Sequence, residues 1–160
     1  MRKRSKYKPN KNLVNPLEYV LGNMKPVAEY TDLIMQTRLK NRMAVEALRE
    51  GTATVDDIQN LIEMHNFVDR LIGVGFGSDY LDVLQKGQEA LLLIARRTPR
   101  SAKFNGNVQE LLALAELIDL NDAQLDVITI QDVRKAEKYA ATHRSTISIE
   151  LALTPETATA

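Results

Sequence analysis

Apolar residues recur at three- and four-residue intervals through most of this chain, the period of a helix that buries one face. Asn15-Pro16 reads as a helix start, with Asn as N-cap and Pro in the first turn, and opens a short helix from Leu17 to about Met24. Pro26 begins a longer one that runs to Glu50 and stops at Gly51, a residue type suited to the left-handed C-terminal cap. Thr54-Val55-Asp56-Asp57 has the form of a capping box and launches a third helix, which ends in the glycine cluster Gly73-Val74-Gly75-Phe76-Gly77. Ser78 or Asp79 starts a fourth, ending near Arg97. A basic loop from Thr98 to Asn107 leads to a fifth helix, from about Val108 to Ile128. Thr129-Ile130-Gln131-Asp132 repeats the capping pattern and begins the sixth, to about Arg144.

Six helices joined by short, punctuated turns predict a compact all-α bundle, a single domain over residues 13–145. Residues 1–12 form a separate basic arm, and residues 146–160 an extended tail. In that tail Ile147, Ile149, Leu151 and Leu153 alternate with Ser148, Glu150 and Ala152, the period of a strand. Such a segment either lies along its own bundle or pairs with a second chain, which would make the protein a homo-oligomer.

Polar residues interrupt three of the apolar faces. Arg38 and Asn41 fall within the stripe formed by Val27, Tyr30, Ile34, Val45 and Leu48. His65 and Asp69 share the stripe of Ile58, Leu61, Ile62 and Ile72. Asp122 borders the line of Leu111, Leu114, Ile118 and Leu125, with Asp119 and Asp126 on its flank. Buried polar groups are costly unless paired, so Arg38, Asn41, His65, Asp69, Asp122 and Asp126 are expected to meet one another or water. An internal network, for example Arg38 with Asp69 or Asp122, competes with a small-ligand pocket. A metal site on His65, Asp69, Asp122 and Asp126 has no ligand spacing to support it, and neither metal nor cofactor is expected.

Composition removes several classes of function. Without cysteine there is no disulfide framework and no thiolate chemistry. The longest apolar run, Ala90 to Ala95, is six residues, too short for a membrane span, and the basic start lacks the apolar core of a signal peptide. A soluble, cytoplasmic protein without membrane contact is expected. The glycine cluster follows a helix and has neither GxGxxG nor GKS/T spacing, so it reads as a helix-terminating loop. His65 and His143 stand far apart with no HExxH pattern, and no serine lies in a nucleophile-elbow context. No catalytic residues are assigned, and a dedicated enzyme is not expected.

Charge supplies the one pointer to a partner. Arg2, Lys3, Arg4, Lys6, Lys8 and Lys11 fall within twelve residues that contain no acid, and Tyr7 sits among them. From Leu13 onward 15 basic residues face 21 acidic ones. A basic arm on an acidic body suggests a polyanionic partner, with the cations on phosphates and Tyr7 stacked on a base or sugar. Arg96, Arg97, Arg100 and Lys103 form a second basic group, which extends that surface if it lies beside the arm and otherwise complements a helix C-terminus. The acidic set Glu116, Asp119, Asp122 and Asp126 is either a solvated flank or a dock for the arm of another subunit.

The stretches Arg2-Lys3-Arg4-Ser5-Lys6-Tyr7-Lys8-Pro9, Asn15-Pro16 with Tyr19-Val20-Leu21, and Lys25-Pro26-Val27 carry a resemblance, as do Leu39-Lys40-Asn41 and Asp122-Ala123-Gln124-Leu125-Asp126. Together they resemble small helical proteins of temperate phages and prophages of Gram-negative bacteria. The likeness spans most of the chain and leaves out the tail from Thr146 to Leu153. It implies a setting inside a bacterial host and a regulatory, replication-associated or counter-defence role, with no particular activity. The expected function is therefore a non-enzymatic accessory protein that contacts nucleic acid through its arm. The alternative is an inhibitor or adaptor that binds a host protein through a helical face and the tail strand.

Overall fold

A computed structural model of the chain describes residues 16–98 and 102–143. The arm at 1–12, the Asn15 cap, Arg100 and the strand-like tail at 146–153 lie outside the described residues. Six α-helices lie among the described residues: α1 (Pro16–Asn23), α2 (Thr31–Glu50), α3 (Val55–Gly73), α4 (Leu81–Arg97), α5 (Val108–Val127) and α6 (Ile130–Thr142). No strand occurs among the described residues. No helix among them is long and apolar enough to cross a membrane.

Capping chemistry sets most of the boundaries. Thr54 with Asp57, Asn107 with Glu110 and Thr129 with Asp132 all form reciprocal capping boxes at the starts of α3, α5 and α6. Each satisfies two of the orphan N–H groups of a helix start and is worth about 1 kcal/mol. Gly51 ends α2 with φ 71°, and its N–H reaches back to Ala47 and Leu48.

Two starts differ from expectation. Pro26 does not open a helix. Its backbone is extended (φ −57°, ψ 137°), because the chain around it is sewn to the α5–α6 junction. Val27 N–H donates to Ile128 O at 2.9 Å, and Ile130 N–H donates to Lys25 O at 3.1 Å. A 3-10 turn, Val27–Glu29, follows, and α2 begins only at Thr31, which leaves Tyr30 exposed rather than in the core. Likewise Ser78–Tyr80 is a 3-10 turn, and α4 starts at Leu81. The glycine cluster ends α3, as expected, with Gly75 and Gly77 at positive φ.

The main core lies between α2, α3, α4 and α5, around Leu48, Ile58, Leu61, Leu91, Ile94, Leu114 and Leu117. Each such side chain contributes roughly 1.5–3 kcal/mol by leaving water. A smaller core of Val27, Ile34, Leu71, Leu125, Ile128 and Ala136 seats α6 against α3. The basic loop before α5 is not a free loop. Phe104 is fully buried within it, its N–H donates to Ala53 O at 2.9 Å, and Gly106 N–H donates to Leu48 O at 3.1 Å. Gly87 allows the close approach of α4 and α5, since a Cβ there would lie 2.8 Å from Leu117 Cδ2.

Candidate functional site

The six-residue polar cluster expected on three helix faces resolves into separate groups. Arg38 and Arg42, one turn apart on α2, face Asp119, Asp122 and Asp126 of α5. Arg38 Nη2 donates to Asp126 Oδ1 at 2.6 Å and to the Asp122 carbonyl at 3.0 Å. Its Nε lies 3.4 Å from Asp122 Oδ1, an ionic contact without hydrogen-bond alignment. Arg42 Nη2 donates to Asp122 Oδ2 at 2.7 Å. The expected pairing of Arg38 with Asp122 is present, and that with Asp69 is not among the ion pairs. The seam is partly open to solvent, where such pairs contribute at most about 1 kcal/mol each. It also ties Asp119, Asp122 and Asp126 to cations of the same chain.

Asn41 turns away from that seam toward α3. Its Oδ1 accepts from Asn60 Nδ2 at 3.0 Å, and both residues are buried. Asn121 of α5, also buried, lines the same cavity between α2, α3 and α5. Thr37 and Lys40 of α2 line it too, with Glu63, Met64 and Phe67 of α3 and Leu125 of α5, around a volume of about 280 Å³. The Nδ2 atoms of Asn41 and Asn121 are buried and have no hydrogen-bond partner among the described residues. An unsatisfied buried amide costs about 1–3 kcal/mol.

His65 is buried on α3, its Nδ1 3.5 Å from Asn66 Oδ1 and its Nε2 without a hydrogen-bond partner among the described residues. It does not line the carboxamide cavity. Burial lowers its pKa below the ordinary histidine value, against the opposing pull of Asn66, the Asp69 charge and the Leu84 backbone. No group of three or more metal-ligating side chains occurs among the described residues.

The second basic group is divided as well. Both Nη atoms of Arg97 clasp the buried Glu110 carboxylate, at 2.9 and 2.8 Å, and Nη2 also donates to Asn105 O. The Asn107 N–H donates to Glu110 Oε2 at 2.8 Å. Burial pushes the Glu110 carboxyl up, but Arg97 and the Asn107 N–H outweigh it and hold the pKa below its usual value. Arg97 is thus committed to the fold. Arg96 and Lys103 are exposed. Arg2, Lys3, Arg4, Lys6, Tyr7, Lys8, Lys11 and Arg100 lie outside the described residues.

Asn60, Asn121 and Glu110 were not singled out by the sequence, although a signal existed for two of them. Asn121 stands three residues after Ile118 and four before Leu125, directly on the core line of α5. Asn107 and Glu110 have the three-residue spacing of a capping box. A further surface feature is an exposed apolar line on α2, formed by Met35, Leu39 and Met43 at four-residue intervals. No family model, curated protein or solved structure matches this chain.

Proposed function

We propose that this is a non-enzymatic accessory protein that engages nucleic acid through its basic N-terminal arm, with the helical bundle as its carrier. One observation carries the reading: six cations and no acid in the first twelve residues, on a body with an excess of six acids. The side-chain pairings favour it. Arg38, Arg42 and Arg97 of the body are engaged with Asp119, Asp122, Asp126 and Glu110, so less of the body's positive charge is left for a partner. The setting is that of a small phage or prophage protein inside a bacterial cell.

The test is binding of a labelled duplex and a labelled single strand by the full chain, at several salt concentrations. The comparison protein carries Gln at positions 2, 3, 4, 6, 8 and 11. If all six cations meet phosphates of duplex DNA, log K should fall with log salt with a slope of about −5. The neutralised arm should lose both affinity and slope. Unchanged binding after neutralisation overturns the reading.

A second reading, an adaptor or inhibitor that binds a host protein, is favoured by the exposed Met35, Leu39 and Met43 line. Methionine-bearing helix faces adapt to varied partners. It predicts a complex that survives neutralisation of the arm and is lost in Leu39→Glu.

A further inference from the structure

We propose that the cavity between α2, α3 and α5 is a binding site for a nucleobase-type ligand, read by the carboxamides of Asn41, Asn60 and Asn121. Three helix faces converge there: Thr37, Lys40 and Asn41 at i, i+3, i+4; Asn60, Glu63, Met64 and Phe67 at i, i+3, i+4, i+7; and Asn121 with Leu125 at i, i+4. Buried positions of this kind in a helical bundle ordinarily hold aliphatic side chains. Here three of them hold asparagine, at 2 %, 8 % and 2 % exposure. Fixing helix register would need one satisfied pair, and Asn60 with Asn41 already supplies it. The Asn41 and Asn121 amide nitrogens are left over, with no hydrogen bond among the described residues to account for them.

The ligand class follows from the lining. A carboxamide offers a donor and an acceptor in one plane, and its terminal torsion is soft enough to present either. That is the complement of a heterocycle with alternating donors and acceptors on its edge, the way asparagine reads a base. Phe67, Met64 and Leu125 supply an apolar wall for a ring face. Lys40 and Glu63 carry opposite charges on the same lining, so the site selects for neither sign and suits a neutral ring. About 280 Å³ lies at the small end of ligand cavities, enough for a base or nucleoside and too little for a folded peptide.

The experiment titrates the full chain with adenosine, guanosine, cytidine and uridine by calorimetry, up to millimolar concentrations. The same titrations follow for Asn121→Leu, and for Asn121→Ala should the larger side chain disturb the fold. At least one nucleoside should bind saturably to the wild type, and loss of the Asn121 amide should weaken it by about tenfold or more. Arg42→Gln, on the solvent-side seam, should leave binding unchanged. The arm-neutralised protein should also retain it, so failure of the nucleic-acid reading and failure of this one are separable. Absence of binding by all four nucleosides overturns the proposal, as does binding that is the same in the folded Asn121 variants.

Discussion

Helix α5 buries Glu110 in its first turn and Asn121 and Gln124 toward its other end, and Glu110 and Asn121 are treated in opposite ways. Glu110 receives both Nη atoms of Arg97 and the Asn107 N–H. Asn121, as deeply buried, is left with an amide nitrogen that bonds to nothing among the described residues. Glu110 is satisfied where it holds a helix boundary together, whereas the Asn121 amide nitrogen, like Gln124 Oε1 and His65 Nε2, finds no partner among the described residues. On the ligand-site proposal, Asn121 is placed, with Asn41 and Asn60 across the cavity, for a ligand rather than for stability. Chains depart from local consistency where function requires it.

The satisfied end of α5 is the more costly one to disturb. Phe104→Ala should cost about 3–5 kcal/mol in chemical unfolding, because it empties a fully buried site that pins the loop before α5. The cavity around Asn121, which Phe104 does not line, should keep whatever ligand it binds so long as the protein is folded. Arg97→Ala comes next, with a loss of about 2 kcal/mol at neutral pH, tempered by the partial exposure of the guanidinium. Its pH dependence has a definite sign. The folded pKa of Glu110 is depressed, so its contribution is present above the unfolded value and is lost as pH falls through the folded one. The gap between wild type and Arg97→Ala should accordingly narrow in acid, and a gap that stays constant down to pH 3 would remove Glu110 from the account.

On α3, His65 is a second buried group whose titration reaches stability. Its folded pKa is also depressed, here by burial of a group that is charged when protonated. Stability should be full above about pH 6.5 and fall below it, by up to about 1.4 kcal/mol per pH unit, as the unfolded chain takes up the proton first. His65→Leu should flatten that part of the profile. A profile identical to wild type would show that another group carries it.

The helices were legible in the sequence because their punctuation is local: Gly51, Thr54 with Asp57, and Thr129 with Asp132 act within a single turn. The start of α2 was not, since Pro26 is held extended by Ile128 and Ile130, a hundred residues away, and no periodicity carries that information. The site was legible in part. Polar residues on apolar faces pointed to Asn41, and to Arg38 with Asp122. A wheel gives the face of a helix but not the depth or the neighbour across it. Arg38 therefore reached the seam and His65 a separate pocket of core, while Asn60 and Asn121 became the true neighbours of Asn41's cavity.

Equilibrium urea unfolding of Asn121→Leu in ligand-free protein tests the contrast most directly. If the Asn121 amide is held unsatisfied for a ligand, replacing it with an apolar side chain should leave stability unchanged or raise it by up to about 1–2 kcal/mol, the gain expected when an unpaired buried polar group is removed. A loss of more than about 1 kcal/mol would place Asn121 with Glu110, as a structural group, and contradict the account.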